Sequence, residues 1–135
     1  MNLRFVFLVV LAVSVVSAGF ASAQELAAEL APRTALMNIH EQVAAKYPAV
    51  AVATPEQLKE WLEQDLVQLV DVRTPMEQKV SVIPGAVDVE TFLNGFDEHK
   101  RTVAYCTIGV RSSHFAMQLK AYGVDVMNLE GGIMG

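Results

Sequence analysis

Basic clusters, paired cysteines and metal-ligand spacings are all missing from this sequence, and each absence removes a class of function. Ten Lys and Arg stand against fifteen Asp and Glu, a net charge of −5, with no basic run. Phosphate backbones are held by clustered Lys and Arg, so no nucleic-acid partner is expected. Cys106 is the single cysteine and has no partner for an intramolecular disulfide, so the chain is not a stapled scaffold. Neither His40 nor His99 stands at metal-ligand spacing from Cys106, and neither a metal nor a cofactor is expected. A hydrophobic content of 53% excludes a disordered acidic tail.

What is present begins with an apolar segment. Mean hydropathy is +0.33, and much of it comes from Phe5–Val16, which follows Arg4 and leads to the small residues Ala21-Ser22-Ala23. This is the charged, apolar and cleavage-site order of a secretory signal peptide. Residues 1–23 are therefore read as a signal peptide and the mature protein as periplasmic or secreted. The alternative is a membrane anchor, because Phe5–Ala23 has no charge and is about long enough for a hydrocarbon core of roughly 30 Å. Contact with a membrane is expected only if that segment stays attached. Its removal takes one charge, Arg4, and leaves nine basic against fifteen acidic residues, one small acidic domain with enough chain for a modest core.

Residues 24–48 are rich in Ala, Leu and Glu, with Leu36, Ile39 and Val43 at helical spacing, and read as a helical leader broken near Pro32. The domain is placed at 49–135. Thr54-Pro55-Glu56-Gln57 has the signature of a capping box with proline at the first helical position. Val67–Val72 and Thr102–Tyr105 are compact apolar runs that suit strands covered on both faces. A helical turn is expected around Pro75–Gln78, a turn at Ile83–Ala86, a short extended segment at Val87–Val89, a helix carrying Phe115, Leu119 and Tyr122, and a last strand at Val124–Leu129. Alternating strands and helices predict an α/β domain with a mostly parallel sheet. Ligands of such sheets bind beyond the carboxyl ends of the strands, where Cys106 lies.

Thr107-Ile108-Gly109-Val110-Arg111-Ser112 carries the chain from that strand into the next helix. Backbone amides converging in such a loop, with the amino terminus of a helix beyond them, stabilise an anion. The nearest anion is the Cys106 thiolate, whose formation they would favour. Gly109 allows the tight turn, Arg111 adds a positive charge and a planar donor fork, and Ser112 adds a hydroxyl donor. His114 follows the loop, but a thiolate held by amides needs no general base. Asp71 and Arg73, at the end of the Val67–Val72 run, read as a pair holding the loops together, with Glu77 spaced to join Arg73 on a helical turn.

The order of these features resembles the rhodanese family of sulfurtransferases over roughly Val52–Gly135. The landmarks are the Thr54–Leu58 helix opening, Leu69-Val70-Asp71-Val72-Arg73 with Glu77, Ile83-Pro84-Gly85-Ala86, the Cys106 loop and Asn128-Leu129-Glu130-Gly131-Gly132. The resemblance implies a three-layer α/β domain, a mostly parallel central sheet flanked by helices. It also implies that Cys106 is the catalytic nucleophile and carries sulfur as a persulfide. Thr107, Ile108, Gly109, Val110, Arg111 and Ser112 would cradle the substrate, supported by Asp71, Arg73 and Glu77. The partners implied are a sulfane donor such as thiosulfate, a polysulfide, a persulfide or a protein, and a thiol or cyanide acceptor. Two half-reactions predict ping-pong kinetics.

Related phosphatases and arsenate reductases have one more residue between Cys and Arg, where this chain has four, the sulfur-sized loop. Rhodaneses that favour thiosulfate often carry basic residues in this loop, whereas those four positions are uncharged here, so the resemblance implies a polysulfide, persulfide or protein donor rather than a small dianion. The alternative function is a non-enzymatic persulfide carrier or redox-binding module using the same loop. Two departures from the family stand out. Ser81-Val82 replaces the Gly-His common before Ile-Pro-Gly-Ala, and the chain stops at Gly135, where the family continues with a Trp and a final helix, so a C-terminally truncated domain is expected.

Overall fold

The computed structural model describes residues 3–135, and their side chains from residue 24 onward except Leu26. The signal peptide and anchor readings of residues 1–23 fall outside the described side chains. Among the described residues no helix is long and apolar enough to cross a membrane. The chain divides into two compact units, Met1–Ala35 and Leu36–Gly135.

Helix α1, Leu3–Lys46, contains Pro32 without a break, contrary to the sequence expectation. Proline removes one backbone donor and crowds the preceding turn. Here the freed carbonyl of Ala28 lies on an exposed stretch open to water, and the flanking Ala, Leu and Glu are strong helix formers. The Thr34 hydroxyl donates to the Leu30 carbonyl at 3.0 Å.

In the second unit, five strands, β1 (Val52–Ala53), β2 (Val67–Asp71), β3 (Ala86–Asp88), β4 (Arg101–Tyr105) and β5 (Val126–Leu129), form one sheet in the order β1-β5-β4-β2-β3. Every pairing is parallel. The helices between them are α2 (Pro55–Glu63), α3 (Pro75–Val80), α4 (Val89–Asn94) and α5 (Val110–Lys120). Side chains alternate across a strand, and both faces of β2 and β4 are covered. Leu69, Val103 and Tyr105 join Leu58 and Leu129 in one cluster, whereas Val70 and Ala104 join Phe92 and Ala116 in the other. Each fully buried Leu, Val or Phe contributes about 1.5–3 kcal/mol, and the adjacent apolar residues Leu69-Val70 and Val103-Ala104 cover both faces of the sheet.

Two caps fix the helix starts. Thr54 and Gln57 form the expected reciprocal box on α2, and Thr74 and Glu77 form a second on α3. Helix α4 is absent from the sequence reading. Asp88 closes β3 and caps α4, its carboxylate accepting the Thr91 amide at 2.7 Å. The compact unit includes Leu36–Lys46, where Val43 is buried.

Candidate active site

Strand β4 lies between β2 and β5 and delivers Cys106 directly beyond its carboxyl end. Cys106 is only 1% exposed. Its Sγ accepts the Gly109 amide at 3.1 Å and lies 3.5 Å from Ser112 Oγ. Burial alone pushes the thiol up. Hydrogen bonds from the Ser112 hydroxyl and from the amides of Ser112, Ile108 and Gly109 outweigh that cost and hold the thiol below its ordinary value.

The turn depends on glycine at two points. Gly109 sits at φ +97°, and a Cβ there would lie 2.9 Å from Asn128 Nδ2. Gly132, at φ +61°, packs against the carbonyls of Cys106 and Thr107, where a Cβ would approach to 2.5 Å and 2.6 Å. The close approach lets Ile133 donate its amide to the Cys106 carbonyl at 2.9 Å. From outside the loop, His40 accepts the Gly131 amide, with Nε2 at 3.1 Å.

Arg111 lies at the loop's outer end. Its guanidinium grips Glu77 with Nη1 to Oε2 at 2.9 Å and Nη2 to Oε1 at 2.7 Å, and reaches Thr107 Oγ1 at 3.0 Å. Thr107 Oγ1 in turn donates to Glu77 Oε1 at 3.2 Å. Hydrogen bonds from Arg111, and then from Thr74, hold the Glu77 carboxyl far below the usual carboxylate range. The expected partner of Glu77 was Arg73, and the structure corrects this. Helix α3 starts after Arg73, and its capping box turns Glu77 toward the Cys106 loop.

Arg73 instead closes on Asp71, with Nη2 to Oδ2 at 2.7 Å and Nε to Oδ1 at 2.9 Å, both side chains almost fully buried. Tyr105 Oη donates to the same Asp71 Oδ2 at 2.8 Å and accepts the Ile83 amide at 3.1 Å. Arg73 also reaches the Ser81 carbonyl at 2.6 Å. Asp71, Arg73 and Tyr105 thus tie the ends of β2 and β4 to the segment before β3. Burial pushes Asp71 up, but the bonds from Arg73 and Tyr105 prevail and leave it below its ordinary value.

The structure therefore brings Cys106, Ile108, Gly109 and Ser112 together around the sulfur. It sets Thr107, Arg111 and Glu77 on the rim and Asp71 and Arg73 below as a brace. Val110 opens α5, and His114 is exposed. The sequence reading assigned no role to two buried polar groups, Tyr105 and Asn128. Asn128 is 2% exposed and its Oδ1 accepts the Ser112 hydroxyl at 2.6 Å. A polar residue inside an apolar strand run was the available signal.

The family model described as the rhodanese-like domain matches residues 54–135. The chain belongs to the rhodanese-like family. Among solved structures, this rhodanese-like chain is similar to a rhodanese-like domain protein from Staphylococcus aureus, with 35% identity and a TM-score of 0.56, covering 64% of this chain and 92% of that one. It is 35% identical over 83 residues to YtwF of Bacillus subtilis, a protein named as a candidate sulfurtransferase, covering 57% of this chain and 81% of the relative. It is also 34% identical over 100 residues to the tRNA uridine(34) hydroxylase of Xanthomonas oryzae, covering 61% of this chain and 40% of the relative. The chain spans less than half the length of several curated relatives that it matches. The family thus includes sulfurtransferases alongside members named for other chemistry.

Proposed function

We propose that this chain is an exported sulfurtransferase that accepts a sulfane sulfur on Cys106 and passes it to a thiol or to cyanide. The observation that carries the reading is the Cys106 sulfur itself, buried yet facing the Gly109 amide and the Ser112 hydroxyl. In the first half-reaction the Cys106 thiolate attacks the outer sulfur of a persulfide or polysulfide. The S–S bond of the donor breaks, its electron pair leaves with the inner thiolate, and Cys106 holds the transferred sulfur as a persulfide. In the second, an acceptor thiolate or cyanide attacks that outer sulfur and restores the Cys106 thiolate.

A persulfide or polysulfide suits the rim better than thiosulfate. Thiosulfate is a small dianion and would call for a free positive charge, whereas the Arg111 guanidinium is already spent on Glu77. Export rests on the sequence of residues 1–23, in particular Arg4, the apolar run and Ala21-Ser22-Ala23.

Steady-state sulfur transfer to cyanide, with a polysulfide and with thiosulfate as donors, tests the proposal. Repeated turnover with a lower KM for the polysulfide is expected. A single turnover would indicate a carrier, a low KM for thiosulfate would refute the donor preference, and no transfer from either donor would refute the enzyme.

A further inference from the structure

The Ser112 hydroxyl has one proton and two buried acceptors beside it. Asn128 Oδ1 lies 2.6 Å away and Cys106 Sγ 3.5 Å away. Ser112, Cys106 and Asn128 are 0%, 1% and 2% exposed, so water does not set the direction of the hydroxyl. When Cys106 is a thiol, the three groups form a chain in one direction. The thiol can donate to Ser112 Oγ, and the hydroxyl donates to Asn128 Oδ1.

A thiolate reverses the requirement. The hydroxyl proton must turn to Sγ and away from the nearer Asn128 Oδ1, so Asn128 competes with the thiolate for that one proton. Asn128 is held close beside Gly109, where a Cβ would stand 2.9 Å from its Nδ2. The backbone of Asn128 stays fixed meanwhile, held in β5 with its amide donating to the Ala51 carbonyl at 2.8 Å.

We propose that Asn128 is a positioning residue that sets the direction of the Ser112 hydroxyl and, through it, how firmly the thiolate of Cys106 is held. The proposal rests on Cys106 being the nucleophile. It does not depend on the sulfur that Cys106 carries.

The lone cysteine permits a direct test. Ultraviolet titration of thiolate absorbance, with Cys106→Ser as the blank, reads one group in the full chain. Ser112→Ala is expected to move the Cys106 titration up by about one pH unit, a tenfold loss of thiolate on the lower flank. Asn128→Leu, which leaves Sγ as the acceptor of the hydroxyl proton, is expected to move the titration down, and an upward move in Asn128→Leu would overturn the proposal. The double variant should titrate like Ser112→Ala alone, because Asn128 acts only through the hydroxyl. Asn128→Leu titrating like the unaltered protein, or shifting Cys106 equally with and without Ser112, would overturn the proposal. If melting curves show that Asn128→Leu does not fold, Asn128→Ala, which cannot crowd Gly109, takes its place with the same expectations. The titration needs no sulfur donor. A protein with the Asn128 effect but no sulfur uptake would therefore refute the sulfurtransferase reading alone.

Discussion

Replacing Gly109 by Ala tests how far the site depends on its backbone. Gly109 is held at φ +97°, outside the conformations that an L side chain adopts readily, and left-handed geometry costs about 1–2 kcal/mol. The new methyl would also stand 2.9 Å from Asn128 Nδ2, so the Asn128 amide must shift. Its bond to Ser112 is buried, and losing a hydrogen bond of that kind costs about 0.5–1.5 kcal/mol. Together these give about 2–3 kcal/mol, which lowers Tm by on the order of 10–20 °C in a unit of this size. Circular dichroism melts measure it, and the same samples should show a Cys106 titration moved upward, because Gly109 also supplies an amide to the sulfur. A Tm within about 3 °C of the unaltered protein, less than 1 kcal/mol on that scale, would refute the reasoning.

Arg73→Met strands the Asp71 carboxylate beside Tyr105 without its cation. Breaking one side of a buried pair is strongly destabilising, and urea unfolding should show a loss of about 3 kcal/mol. The same pair predicts an acid limb. Asp71 is held below its ordinary value in the folded chain, so its contribution is full above the unfolded carboxyl value of about 3.9. It is lost as pH falls through the lower folded value, and urea midpoints taken across the acid range should fall more steeply in the unaltered protein than in Asp71→Asn. Glu77→Gln keeps the cap on α3 but removes the charge that neutralises Arg111. The freed guanidinium should lower the KM for thiosulfate about threefold to fivefold, the scale of one partly exposed charge interaction, while the KM for a polysulfide changes less.

Much of this was legible from particular residues. Leu69-Val70 and Val103-Ala104 are adjacent apolar pairs because both faces of those strands are covered. The α2 box was readable because Thr54-Pro55-Glu56-Gln57 is local. Thr74-Pro75-Met76-Glu77 repeats the same pattern, so the α3 cap was equally available from sequence. Distant partners were less accessible. Glu77 and Arg111 are 34 positions apart, and their pairing requires α3 and the Cys106 loop to meet at the ends of neighbouring strands. Asn128 with Ser112 and Tyr105 with Asp71 are tertiary pairs of the same kind. Helix α4 was missed because Asp88 serves both as the last residue of β3 and as the cap of the helix after it. Continuity at Pro32 depends on solvent exposure, which spacing alone does not encode.

The central claim is that Cys106 takes up sulfur, and intact mass after incubation with a polysulfide and removal of excess donor measures it most directly. The account predicts a gain of one sulfur atom in the unaltered protein, reversed by cyanide, and no gain in Cys106→Ser. An unchanged mass in the unaltered protein, or the same gain in Cys106→Ser, would contradict it.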